Sequence, residues 1–531
     1  MRWWALAVLV SACGPVAPAR TTSRTVERVL PSLPIPPRSA PSKPPAPLRV
    51  EVTSHDKEEN CLLVRLHFTG KLAGATALAY RPLHAVKLSE PSAQDEIGSV
   101  AIGHEGSTLT LPASGRTELH VQYTLRFPGS GEAGAPFSES IELHVAGEDL
   151  LALPEGKDER FDVELDLKTG NIVAGGASSF GLGPARAFQA RLEELRGGFF
   201  IGGDVGTADF HAGDGDDITA WIGHTAFDPR WIGAEVAATR AAVDHYVGRQ
   251  HAGNGPPLAF LIVPTKRDEL PVVMMPRTRG FLVSVDRRAV WNAQARILVG
   301  QALAQRYLGG FVSLGPRDAE AAGLWSDGFA RAVGREVVFE MGMIEASDRA
   351  AEVNQLLAGE TFATDAKRRH AVRGALIATA LGTSLQRFVR ERMQEAAEAK
   401  KDEMAPELFE KKIGHALFDA REVPLPADLL GKCWRLDRKT LVPFELGFVT
   451  SAEEELKVTS VVPRSRAEAA GVRLGDVIEK IDYRPNQPDI AVRLAVRRGD
   501  KSISISFLPA GAGRPGRVFT RVPGIPDERC S

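Results

Sequence analysis

Gln301 and Gln305 stand four residues apart in the run Ile297-Leu298-Val299-Gly300-Gln301-Ala302-Leu303-Ala304-Gln305-Arg306-Tyr307-Leu308-Gly309-Gly310. On a helix their side chains share one face. With histidine at both positions and glutamate after the first, this spacing gives a zinc ion two imidazole ligands and a general base. Here the positions hold two neutral amides, and Ala302 stands where the base would be. An amide oxygen is a weak ligand for Zn²⁺ beside imidazole or carboxylate. A third ligand has to come from a second helix, and Leu324-Trp325-Ser326-Asp327-Gly328-Phe329-Ala330 offers Asp327. Without zinc no water is acidified towards a pKa of about 7. Without a base a further factor of about 10²–10⁴ in rate is lost.

No other part of the chain supplies a better metal set by spacing. None of the twelve histidines forms a His-x-x-x-His pair, and His245 and His251 are six apart, off a common face. His370 and His415 read as ordinary polar or capping residues, and Glu336 with Glu340 as a solvated helix side. The acidic run His211–Asp217 lacks EF-hand spacing and reads as a hairpin turn. Gly181-Leu182-Gly183-Pro184 lacks the third glycine of a dinucleotide fingerprint.

The elements around these residues fall into three zones, a multidomain α+β chain. From Leu48 to about Leu167, strands are expected at Leu62–Phe68, Ser99–Ile102, Glu118–Phe127, Ser138–Val145 and Phe161–Leu167, separated by Gly, Ser and Pro. A mixed zone follows. Pro184–Leu195 reads as helix, Ile218–His224 as strand, Ala234–Gly248 as helix, Leu258–Val263 as a strand buried on both faces, Phe281–Val285 as strand and Arg287–Leu308 as a long helix. From Leu324 to about Phe418 helical periodicity dominates.

The order of these elements and Trp325-Ser326-Asp327-Gly328-Phe329 resemble the gluzincin metallopeptidases, whose Trp-x-x-Glu-Gly-Phe pattern carries the third zinc ligand. Val372-Arg373-Gly374-Ala375-Leu376 is similar to the Tyr-x-Arg-Gly-Ala-Leu segment of the glycyl aminopeptidase family. That resemblance covers most of residues 49–510 through short motifs. It implies an N-terminal β-domain, a thermolysin-like mixed α/β and helical domain, and a C-terminal PDZ domain. It also places the family's histidine ligands at Gln301 and Gln305, its base at Ala302, its glutamate ligand at Asp327, and its oxyanion tyrosine at Ala371, or at His370 if the register slips by one. The family's substrate-edge motif has no clear counterpart near Met274–Gly280. Zinc is therefore expected to be lost and the peptidase chemistry with it. An unrelated helix burying Ile297, Ala304 and Leu308 is the competing reading.

Phe444-Glu445-Leu446-Gly447-Phe448 is similar to the carboxylate loop of PDZ domains, and Ser465–Ile478 to their short helix and Gly-Asp-Val-Ile strand entry. Such domains hold a C-terminal carboxylate on loop N–H groups, here those of Leu446, Gly447 and Phe448. The second groove wall would have to fit into Tyr483–Ile490, which contains Pro485 and Pro488.

At the N-terminus, Arg2 and the short apolar run Trp3–Ala12 end in Val10-Ser11-Ala12-Cys13, which resembles a bacterial lipobox with Cys13 as the lipidated residue. Ten prolines between Pro15 and Pro47 make the next stretch a tether. The expected division is signal peptide 1–12, lipidated cysteine and tether 13–48, β-sandwich-like domain 49–167, peptidase-like domain 168–435, PDZ-like domain 436–510 and tail 511–531. Cys61, Cys433 and Cys530 allow at most one bridge, with the pairing open. The formal charge of −2 over 531 residues carries no basic excess for nucleic acid.

The expected protein is a lipid-anchored member of a bacterial cell envelope, on the periplasmic or surface side. It would bind or scaffold peptides or envelope proteins through a peptidase-like body without catalysis. The alternatives are an active aminopeptidase or endopeptidase with an unrecognised metal site, and a purely structural envelope lipoprotein.

Overall fold

The computed structural model describes residues 46–530, apart from 55–58, 128–133, 140–141, 157–158, 170–174, 213–214, 249–257, 266–271, 287, 315–321, 400–402, 419, 452–455, 485–486 and 527–529. The lipobox at Cys13, the prolines up to Pro45, His251 and the tip of the acidic hairpin lie outside the described residues. Among the described residues no helix is long and apolar enough to cross a membrane.

Alternation builds the N-terminal layer. Leu48–Ser54, Cys61–Thr69 and Glu118–Arg126 each bury every second side chain. They form the centre of a seven-stranded sheet. Its order is Ala185–Ala190, Phe161–Lys168, Leu48–Ser54, Cys61–Thr69, Glu118–Arg126, Lys87–Asp95 and Ser99–Val100. Val50, Val64, Leu66, Val121 and Tyr123 pack from one face into a core shared with Leu143, Val145 and Phe200 of a second sheet. The opposite face is polar, carrying Arg49, Glu51, Arg65, His67, His120 and Gln122.

Two expectations for this layer need correction. Pro184–Leu195 is not one helix: Ala185–Ala190 is a strand and only Leu192–Arg196 is helical. Its alanine, arginine and glutamine favour helix locally, but pairing along Phe161–Lys168 satisfies its backbone as an edge strand. The first sheet consequently extends beyond the expected boundary at 167.

The middle zone is built on a five-stranded sheet, ordered Val205–Ala212, Gly215–Ile222, Ala259–Thr265, Gly280–Asp286 and Val272–Arg277. The three inner strands run parallel and both edges antiparallel. Ala259 to Val263 are at most 1% exposed, as the unbroken apolar run requires of a strand covered on both faces. Helix Pro229–Tyr246 begins on Asp228, which accepts from the Arg230 amide, with proline in its first turn. Helix Ala293–Gln305 begins on Asn292, which accepts from the Ala295 amide; this cap starts it six residues later than the expected Arg287. Trp325, Phe329 and Phe409 knit the following helices together, with ring centroids 5.2 to 5.5 Å apart.

Residues 511–531 are not a tail. Arg514–Arg521 pairs antiparallel with Trp434–Leu441, Asn354 hydrogen-bonds the backbone of Phe519 in both directions, and Cys433 is bridged to Cys530. Phe519, 2% exposed, belongs to the core of the helical zone. Cys61 is buried and takes no part in this bridge. Between the two paired strands the chain makes a small module. It contains the hairpin Phe448–Thr450 with Val458–Val461, the helix Arg466–Ala469, and the three-stranded sheet of Val477–Asp482, Val492–Arg498 and Lys501–Phe507.

Candidate functional site

The helix Ala293–Gln305 crosses Ala330–Glu340 at two glycines. A methyl group built on Gly334 would lie 2.2 Å from the Gln301 amide nitrogen, so only glycine allows this approach. The second crossing is as tight: a methyl on Gly374 would lie 2.0 Å from the Leu324 carbonyl oxygen. Backbone contact at both crossings leaves the helices little freedom to slide. Leu324–Phe329 itself is a π-helical turn running into Ala330–Glu340, and the Trp325 indole N–H donates to the Val312 carbonyl at 2.7 Å. These contacts carry Asp327 to the face bearing Gln301 and Gln305.

The Gln305 side-chain amide donates to Asp327 Oδ1 at 2.8 Å. A carboxylate oxygen only accepts, so the amide must turn its nitrogen towards Asp327 and its carbonyl away. Gln301, Gln305 and Asp327 are half-buried, whereas Ala302 is 5% exposed and packs in the core. Ala371 lies on helix Ala366–Ala380, whose Gly374 makes the second crossing. Ile297, Ala304 and Leu308 are all buried, as the simple core-helix reading also required.

A charged network that the sequence reading did not assemble lies at the C-terminal end of the same helix. Asp217, in the strand after the acidic hairpin, accepts from Arg240 and from the Leu258 amide at 2.9 Å. The Tyr307 hydroxyl donates to Asp244. Burial raises the Asp217 carboxyl above its ordinary pKa against the pull of Arg240. Burial, and then the repulsion of Arg240, lowers the Arg306 guanidinium. The network ties the helix end to the sheet and to Pro229–Tyr246. Glu336 is likewise no solvated helix residue: it binds Arg335 and Arg349, each at 2.7 Å.

Val272–Arg277 is the outer edge of the five-stranded sheet beside Gly280–Asp286, so an edge strand exists where no motif was recognised. In the C-terminal module, Gly447 has φ +77° and its carbonyl accepts from the Val462 amide at 2.8 Å. Leu446, Gly447 and Phe448 lead into Phe448–Thr450, which pairs with Val458–Val461 alone among the described residues. No helix occurs among the described residues of 483–490. One group of three metal-ligating side chains comes together among the described residues, and it is elsewhere: His67, Glu118 and His120 on the N-terminal sheet.

No family model matches this chain, and no curated protein matches it. Among solved structures it is similar to an aminopeptidase N family protein from Idiomarina loihiensis, at a TM-score of 0.64 and 14% identity, over 89% of this chain and 98% of that one. An M1 zinc metallopeptidase from Deinococcus radiodurans aligns at a TM-score of 0.44 and 16% identity, over 70% of this chain and 90% of that one. The chain thus shares the fold of the aminopeptidase N family protein.

Proposed function

We propose that this protein is a catalytically silent peptidase-fold protein, anchored to an envelope membrane through Cys13, that holds peptide or protein partners without cleaving them. One observation carries the reading: a direct amide-to-carboxylate hydrogen bond joins Gln305 and Asp327, the two positions where the resembled enzymes place metal ligands. The donor set does not fit zinc. Gln305 turns an N–H, which has no lone pair, towards Asp327; Gln301 offers a neutral amide; and the base and oxyanion positions are the alanines Ala302 and Ala371.

The arrangement of motifs, with a β-layer before the body and a glycine-led strand module after it, supports descent from a glycyl aminopeptidase-like ancestor. The C-terminal module supports partner binding through the edge of Phe448–Thr450 that pairs with no further strand among the described residues. At Phe448–Thr450 an extended peptide can add as a further strand, its carboxylate on the N–H groups of Leu446, Gly447 and Phe448. With no helix among the described residues of 483–490, the groove is one-walled and relies on main-chain bonds.

The decisive experiment measures peptide hydrolysis and zinc on the full chain. The wild type should cleave no peptide and hold no zinc that Asp327→Ala removes. The variant Gln301→His/Gln305→His/Asp327→Glu should gain zinc at this position, because the glycine crossings keep three ligands convergent. Hydrolysis by the wild type that is lost in Asp327→Ala would overturn the reading. Intact-mass analysis should find fatty acid on Cys13. Peptide binding should vanish on C-terminal amidation.

A further inference from the structure

The polar face of the N-terminal sheet holds a ligand set of the kind the peptidase-like position lacks. Cys61–Thr69 and Glu118–Arg126 are neighbours in antiparallel register, with His67 opposite His120 and Thr69 opposite Glu118. Glu118 and His120 are two apart on one strand and therefore share a face. The two imidazole rings stack with centroids 3.9 Å apart and planes within 12°. Glu118 Oε2 is 4.0 Å from His67 Nε2, and ligand atoms of all three residues lie within 4.8 Å of one another. His67 Nε2 is shielded from solvent yet has no hydrogen-bond partner, although a buried ring nitrogen ordinarily finds one. His67 and His120 line a hollow of about 460 Å³ together with Arg49, Ser92 and Gln94.

We infer that His67, His120 and Glu118 form a divalent transition-metal site, taking zinc or a metal of similar ligand preference, with one coordination position left to water. Two imidazoles and one carboxylate are a donor set that zinc accepts and that calcium and magnesium, which want oxygen, do not. Metal–ligand bonds of about 2.0–2.2 Å require the three donor atoms to converge by roughly an ångström. Tilting the stacked rings about their side-chain bonds would supply this, and both side chains lie on the polar face of the sheet. A bound metal would satisfy the stranded nitrogen and clip two central strands of the sheet together.

The test uses full-length, tag-free protein stripped with chelator, then equilibrated with Zn²⁺ and measured by elemental analysis and titration calorimetry. One equivalent should be retained by the wild type and by Asp327→Ala. His67→Ala or His120→Ala should abolish it, and Glu118→Gln should weaken it at least tenfold; Ca²⁺ and Mg²⁺ should not compete. Thermal melts of the stripped variants should match the wild type, since the replaced side chains lie on the polar face. Absence of zinc binding by the wild type overturns the proposal, as does zinc that survives both histidine substitutions. Zinc lost in Asp327→Ala but kept in His120→Ala would overturn both this site and the metal-free reading of the peptidase-like position.

Discussion

The peptidase-like position and the N-terminal sheet face are opposites. On the proposed reading, the first keeps the helix placement of a metal site and carries amides and alanines at its donor positions. The second has metal donors on a sheet face that no motif announces. Backbone approach sets the geometry of the first, through Gly334 against Gln301 and Gly374 against Leu324, and those contacts persist whatever side chains the face carries. Side chains alone make the second, since strand pairing places any two opposed residues within reach. On these two proposals a scaffold outlasts its chemistry at the first position, and ligand chemistry arises at the second on a sheet built for packing.

The largest expected effect comes from breaking the scaffold. Gly334→Ala forces a methyl group onto backbone atoms, which cannot rotate aside as a flexible side chain can. The loss should reach or exceed the upper range for overpacking, about 3 kcal/mol, and be visible as a lower unfolding midpoint or insoluble protein. A Gly334→Ala protein as stable as the wild type would mean that the crossing is looser than described and that the position of Asp327 is not imposed by it.

A second test separates the metal face from ordinary histidine titration in the same layer. His144 is 6% exposed, lies between Phe137 and Phe199, and donates from Nε2 to the Ala135 carbonyl at 3.0 Å. Burial pushes its pKa down from 6.5 to about 4. The folded state therefore keeps the neutral ring where the unfolded chain takes up a proton. This stability is fully present above pH 6.5 and is lost as the pH falls towards 4, a change of about 3 kcal/mol. His144→Gln should flatten that acid limb in pH-dependent melts. Zinc binding at His67 and His120 should still weaken on acidification in that variant, because protons compete with the metal for the ligands. A limb unchanged by the substitution would assign the acid sensitivity to other groups.

Local pattern made part of this legible and pairing hid the rest. The buried strand at Ala259–Thr265 and the helix carrying Gln301 and Gln305 each announce themselves within about a dozen residues, and Asp327 follows from the Trp-Ser-Asp-Gly-Phe run. The edge strand Ala185–Ala190 does not, because its composition favours helix and only its neighbour makes it extended. Arg514–Arg521, with Pro515 and Gly516, looks like a tail until it meets Trp434–Leu441 and Asn354, far away in sequence. His67 and His120 belong to different strands, and only the register between them makes a site. The Cys433–Cys530 pairing likewise depends on how the last strand folds back.

The smallest effect addresses the amide that stands in the ligand position. Gln305 and Asp327 are half-buried, so their hydrogen bond competes with water and should contribute towards the low end for a bond to a charged group. A double-mutant cycle of Gln305→Leu and Asp327→Leu should return a coupling of about 1.5 kcal/mol in denaturant unfolding, the double variant losing that much less than the sum of the single losses. The same cycle run with excess Zn²⁺ sharpens the comparison. A ligand that binds only the folded state adds stability in proportion to the logarithm of its concentration over Kd. If Gln305 and Asp327 hold each other instead of a metal, their coupling will be identical with and without zinc. Any zinc-dependent stabilisation will then vanish with His120→Ala and persist in the Gln305→Leu protein. A coupling that grows with zinc would place a metal between the two side chains, and the hydrogen bond could no longer be read as its replacement.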